Sequence, residues 1–163
     1  MYLLSQQNVG VSEDAQEEGE VMLKASVIIL VIMLAYAGVY SLMSIIVPKA
    51  VMKSALEATI GKTLDNARDD GYLRSLTAGQ RNTGVFALAS VASGFFVLFA
   101  AFRKAQRWAW WAFLVVGGIA WLGGLIVTMA IGDNTNMLMQ LIGLVIFLVG
   151  LLIPVKAFFT KEG

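Results

Sequence analysis

AWWAFLVVGGIAWLGGLIVTMAI, residues Ala109–Ile131, decides the fold. These twenty-three residues carry no charge. As a helix they are long enough to cross a bilayer core of about 30 Å. Arg103, Lys104 and Arg107 lie just before the run, and Trp108, Trp110 and Trp111 stand at its start. Cations and indoles beside an apolar span mark a membrane–water boundary, so these six are read as contacts for lipid headgroups. Inside the run, Gly117, Gly118, Gly123 and Gly124 leave a face almost free of side chains. Such a face admits the backbone of another helix, and Gly117, Ala120 and Gly124 are read as packing positions.

The composition extends this reading to the whole chain. Of its 163 residues, 58% are hydrophobic and 14% charged, against about 25% charged in ordinary soluble domains. A soluble fold could not hide so much apolar surface. Cysteine and histidine are both absent. Disulfides, thiolate-held zinc and iron–sulfur clusters are therefore excluded, as are imidazole-held haem, copper and zinc. Ser-His-Asp and Cys-His catalysis are excluded too. The net charge of +1 says little, but its distribution is uneven. Residues 1–24 sum to −4 and the short 103–107 segment to +3.

Upstream, residues 1–24 hold Glu13, Asp14, Glu17, Glu18 and Glu20 with little apolar content. They read as an acidic, solvated tail. The first span is expected over residues 25–47, after Lys24. Lys24, the apolar run to Leu34 and Ala35-Tyr36-Ala37 imitate a secretory signal with its cleavage site. The acidic region before them and the apolar residues past Ala37 favour an uncleaved transmembrane helix. Pro48 ends or redirects it. In residues 48–83, Met52, Leu56, Ile60, Leu64 and Ala67 recur at helical spacing and predict an amphipathic helix over about 50–68. Lys53–Glu57 and Asp65–Arg68 are weak surface pairs on its other sides. This helix would lie on the bilayer surface, cap the bundle or dock another subunit. Asp69-Asp70-Gly71 reads as a turn, and Ser75 as a helix cap before Leu76.

The second span is expected over 84–102. Ala89–Ser93 and Ser90–Gly94 are small-xxx-small pairs there, with Ser90 and Gly94 read as packing positions. A basic turn at 103–108 leads to the third span, 109–131. Trp121, deep inside that span, needs an acceptor for its N–H and is a candidate ligand contact. A polar turn at 132–136 leads to the fourth span, 137–155. Gly143 and Gly150 share one face of it as packing positions, and Gln140 is its most polar group and the second candidate ligand contact. A C-terminal tail, 156–163, follows Pro154.

The expected architecture is an all-α integral membrane protein. Four transmembrane helices form an antiparallel bundle, with an amphipathic extramembrane helix between the first and second. The positive-inside rule puts 103–107 and both termini in the cytoplasm, although residues 49–81, on the other side, carry six Lys and Arg. With no transit or secretory signal read, a prokaryotic cytoplasmic membrane is expected. The spans carry no ionisable residue, so a proton relay or voltage sensor has no visible parts.

Small size, no catalytic motif and plentiful small-residue faces point to a non-catalytic accessory or scaffold subunit. Its partners would be other membrane subunits, or further copies of itself, together with membrane lipids. The alternative is a small homo-oligomeric transporter or channel for an ion or small molecule, with Gln140, Thr128, Ser90 and Ser93 facing one cavity. A lipid-modifying enzyme ranks last, because Asp69/Asp70 and the N-terminal carboxylates lack the spacing of a known site. No metal, catalytic residue or cofactor is expected, although an apolar groove would accept a structural lipid or a carotenoid. The basic residues are few and sit beside spans, so nucleic acid is not an expected partner.

Overall fold

The computed structural model describes residues 3–61 and 70–159. Among these residues it is helical throughout, without strands. Helix α1 (Leu3–Ile46) leads into α2 (Pro48–Ile60), and α3 (Asp70–Ala100) follows. A single 3-10 turn (Phe102–Lys104) connects α3 to α4 (Arg107–Ile131). Helix α5 (Asn134–Leu152) and the short α6 (Val155–Phe159) complete the order. Helices α1, α3, α4 and α5 each contain a stretch long and apolar enough to cross a membrane. The result is a four-helix antiparallel membrane-type bundle with one extra helix between its first two spans.

The main contacts run from α3 to α1, from α1 to α5 and from α5 to α4. Buried positions on α1 are Ser26, Leu30, Met33, Leu34, Ser41 and Ser44. Their three- and four-residue spacing gives α1 a seam on which its neighbours pack. On α3 the buried residues Gly84, Val91 and Leu98 recur every seven, the repeat that keeps one helix face against a partner. A Cβ at Gly84 would come within 2.9 Å of the Ser41 carbonyl oxygen and the Ser44 Cβ. Only glycine lets α3 approach α1 so closely there. Leu98, Phe102, Phe113, Phe147, Leu151 and Phe158 close the core at the end holding the 103–107 turn.

Several boundaries differ from the sequence expectation. The acidic segment is part of α1 from Leu3 onward. Its Glu, Gln and Ala residues are good helix formers, and extending an existing helix is far easier than nucleating one. Helix α3 likewise begins at Asp70, so Gly71 and Ser75 lie within it and Ser75 is not a cap. The helix between the first two spans starts earlier and ends sooner than 50–68. Pro48 takes its first turn, where no N–H is needed, and Gly61 ends it in the left-handed region at φ 61°. Leu64, Asp65, Ala67, Arg68 and Asp69 lie outside the described residues. Residues 156–159 belong to α6 rather than to a free tail, and Phe158 is fully buried.

Candidate functional site

The residues singled out in the third and fourth spans meet one another. Phe147 covers Gly117, Trp121 covers Gly143, and Gln140 covers Gly124. Each step of four or three residues along α4 is matched by the same step backward along α5, as antiparallel helices require. At every level a glycine on one helix receives a large side chain from the other. A Cβ at Gly143 would overlap the indole of Trp121, and one at Gly124 would stand 2.7 Å from the Gln140 amide. Trp121 and Gln140, the two candidate ligand contacts, thus act as wedges between α4 and α5. Gly94 and Gly150 are also used inside the bundle, where each faces a leucine of α1, Leu34 and Leu30 respectively.

Ser90 and Ala120 are placed differently: both are exposed on the outside of the bundle. The Ser90 hydroxyl donates to the Phe86 carbonyl oxygen at 3.0 Å, and that of Ser93 to the Ala89 carbonyl oxygen at 2.9 Å. Such back-bonding satisfies a hydroxyl without any partner. Thr128 is buried but bonds the Gly124 and Leu125 carbonyl oxygens of its own helix. Gln140, Thr128, Ser90 and Ser93 therefore do not converge on one cavity.

At the basic end, Arg103, Lys104, Trp108 and Trp111 are exposed, as headgroup contacts would be. Trp110 is not among them. Its side chain is buried, and its indole N–H donates to the Leu151 carbonyl oxygen at 2.9 Å. Arg107 is exposed too but is engaged within the chain: its Nε donates to the Phe158 carbonyl oxygen at 3.0 Å, and its guanidinium lies 6.0 Å from the centre of the Phe159 ring. Arg107, through Phe158 and Phe159, and the Trp110 ring, 5.3 Å from that of Phe159, fasten α6 to the start of α4. Helical phase separates Trp110 from its neighbours, since 108 and 111 fall on outward faces while 110 continues the stripe 110, 113, 117, 121.

At the opposite end a polar cluster escaped the sequence reading. Asp133 is only 2% exposed. Its Oδ1 accepts the Asn136 backbone N–H at 3.1 Å, which caps α5. Its Oδ2 accepts from the Asn136 side-chain amide at 2.6 Å and from the Ser54 hydroxyl at 3.3 Å. The same amide also donates to Ser54 Oγ at 3.0 Å. The cluster ties α2 to the α4–α5 turn. The capping half was readable, because Asp133 stands three residues before Asn136 at a helix start. The partner from α2 was not, because nothing local links residues 54 and 133.

Compared with family models, curated proteins and solved structures, the chain matches none. The functional reading therefore rests on the surfaces that the bundle leaves unused. Only 6% of the apolar stretch of α4 is buried, against 28% of that of α1. On α3, the small residues Ala89, Ser90 and Ser93 face outward between the exposed rings of Phe86 and Phe96.

Proposed function

We propose that this chain is a non-catalytic accessory or scaffold subunit of a larger membrane protein complex. One observation carries the reading: Ala89 and Ser93, a small-xxx-small pair, point away from the bundle and form a notch bracketed by Phe86 and Phe96. Lipid contact alone favours bulky aliphatic side chains, whereas a notch of small residues admits a second helix closely. Gly84, Gly94, Gly117, Gly124, Gly143 and Gly150 meet side chains or backbone within the bundle, whereas Gly118, Ala120 and Gly123 of α4 also face outward. The Ala89–Ser93 notch, walled by two exposed rings, is the surface we assign to a partner span. The partner is another membrane subunit or a further copy of the chain, with lipids filling the remaining perimeter.

The proposal includes an orientation. The dense positive charge of the 103–107 turn favours the cytoplasmic side, and four crossings put both termini there as well. A prokaryotic cytoplasmic membrane is the proposed location.

The test is gentle extraction from the native membrane followed by native mass spectrometry. A fixed heteromeric or homomeric stoichiometry is expected, lost when Ala89→Leu and Ser93→Leu fill the notch. An assembly unaffected by the double variant, or a bare monomer, would overturn the proposal.

A further inference from the structure

An open groove of about 620 Å³ lies beside the elbow between α1 and α2. One wall is a stripe of α3 that includes Leu73, Arg74, Arg81, Asn82 and Val85, and Lys49 from the first turn of α2 faces it. Among the described residues, the lining contains three cations and no carboxylate. Arg74 and Arg81 are two helical turns apart and so share a face of α3. Among the described residues, neither arginine nor Lys49 takes part in an ion pair. Thr77, between the arginines, has its hydroxyl committed to the Leu73 carbonyl oxygen at 2.7 Å. The donors left to a ligand are therefore the two guanidiniums, the ammonium and the Asn82 amide.

We infer that this groove binds a phosphate-bearing anion. Two guanidiniums offer paired N–H groups that match phosphate oxygens, and an ammonium adds a compact charge. The location selects among anions. Val85 stands at the beginning of the apolar half of α3 and Lys49 lies just past the end of the first span, so Arg81 and Lys49 stand near the membrane–water boundary, with Arg74 two turns further out. There they can hold a headgroup phosphate while the acyl chains lie along the apolar part of α3. The same donors would accept a soluble phosphate from the aqueous side. The site lies at the opposite end of the bundle from Arg103 and Lys104, and its existence does not depend on the accessory-subunit reading.

The experiment is native mass spectrometry of the full chain in detergent, titrated with phosphatidylglycerol or, separately, phosphatidylcholine. It is repeated with the Arg74→Gln/Arg81→Gln variant, with the Arg74→Lys/Arg81→Lys variant, and with Lys53→Gln as a control outside the groove. All the substituted side chains are exposed, and retained helicity by circular dichroism checks the fold. Phosphatidylglycerol is expected to bind the parent and Lys53→Gln at least five-fold more tightly than the glutamine variant, with the lysine variant between them. Phosphatidylcholine is expected to show no such difference. Displacement of phosphatidylglycerol by millimolar inorganic phosphate would identify the soluble anion as the natural occupant. Retention after that challenge would identify the lipid. Equal phosphatidylglycerol affinity in the parent and the glutamine variant would overturn the inference.

Discussion

The buried hydroxyl of Ser26 donates to the carbonyl oxygen of Gly150. In a continuous helix that carbonyl would accept the N–H of residue 154, but residue 154 is proline and has none. In a bilayer no water can substitute, so a backbone acceptor freed in this way needs a protein donor. Helix α1 supplies it from a position fully sheltered by the bundle. The carbonyl oxygen of the next residue, Leu151, accepts from the Trp110 indole N–H.

This relationship predicts a coupling. Ser26→Ala should cost about 1 kcal/mol, because it strands a buried acceptor. Pro154→Ala restores an N–H at position 154, so the serine should matter less in that background. A double-mutant cycle by reversible unfolding in mixed micelles should give a coupling of roughly 0.5–1 kcal/mol. Strict additivity would mean that the Gly150 carbonyl finds its donor elsewhere.

The α4–α5 interlock makes two glycine-to-alanine changes on neighbouring helices behave oppositely. Gly118 faces open space, so Gly118→Ala should be neutral or slightly stabilising through its better helix propensity. Gly143→Ala drives a methyl into the Trp121 indole and should destabilise by about 1–3 kcal/mol. Trp121→Leu, itself costly in the parent, should relieve that overlap, so the double variant should lose less than the two singles combined. The same unfolding assay decides it, and equal effects at positions 118 and 143 would contradict the packing.

The three tryptophans at the start of α4 should separate by accessibility. Trp108 and Trp111 are each 53% exposed, whereas Trp110 is 7% exposed. In variants that keep one tryptophan and carry phenylalanine at the other three, quenching by aqueous iodide together with headgroup-level nitroxide lipid should be strong for Trp108 and Trp111. It should be weak for Trp110. Comparable quenching of all three would return Trp110 to the interfacial belt.

The four spans were legible because each is a long apolar run, and the bilayer imposes the length. The pairings inside the bundle were not. Gly143 and Gly150 share a face in sequence, yet one takes Trp121 from α4 and the other Leu30 and Ile29 from α1. Helical phase says which residues face together but not which helix they face. Trp121 and Gln140 looked like ligand contacts because a polar group in a span asks for a partner. The structure instead packs both side chains against glycines of the facing helix, a steric role that their polarity does not announce. Helices also ran past the expected boundaries, because apolarity marks where the membrane ends and not where a helix must stop. Pro48 did mark an end, whereas Gly61, which falls inside the helix expected over about 50–68, ends it by taking the left-handed conformation.

The Asp133 cluster separates capping from tertiary bonding. Asp133→Ala removes the acceptor for the Asn136 N–H and both Oδ2 bonds, and should cost about 1–2 kcal/mol. Asp133→Asn keeps an oxygen for the cap but puts an NH₂ where Oδ2 accepts from Ser54 and from the Asn136 amide. Its cost should therefore be intermediate, and it should shrink when Ser54→Ala removes one of the opposing donors. Hydrogen exchange locates the effect. Asp133→Ala should loosen the first turn of α5, whereas Asp133→Asn should loosen chiefly the attachment of α2. If Asp133→Asn behaves like the parent in both measurements, the Oδ2 bonds contribute nothing, and α2 is held against the bundle by Met52 and its apolar neighbours alone.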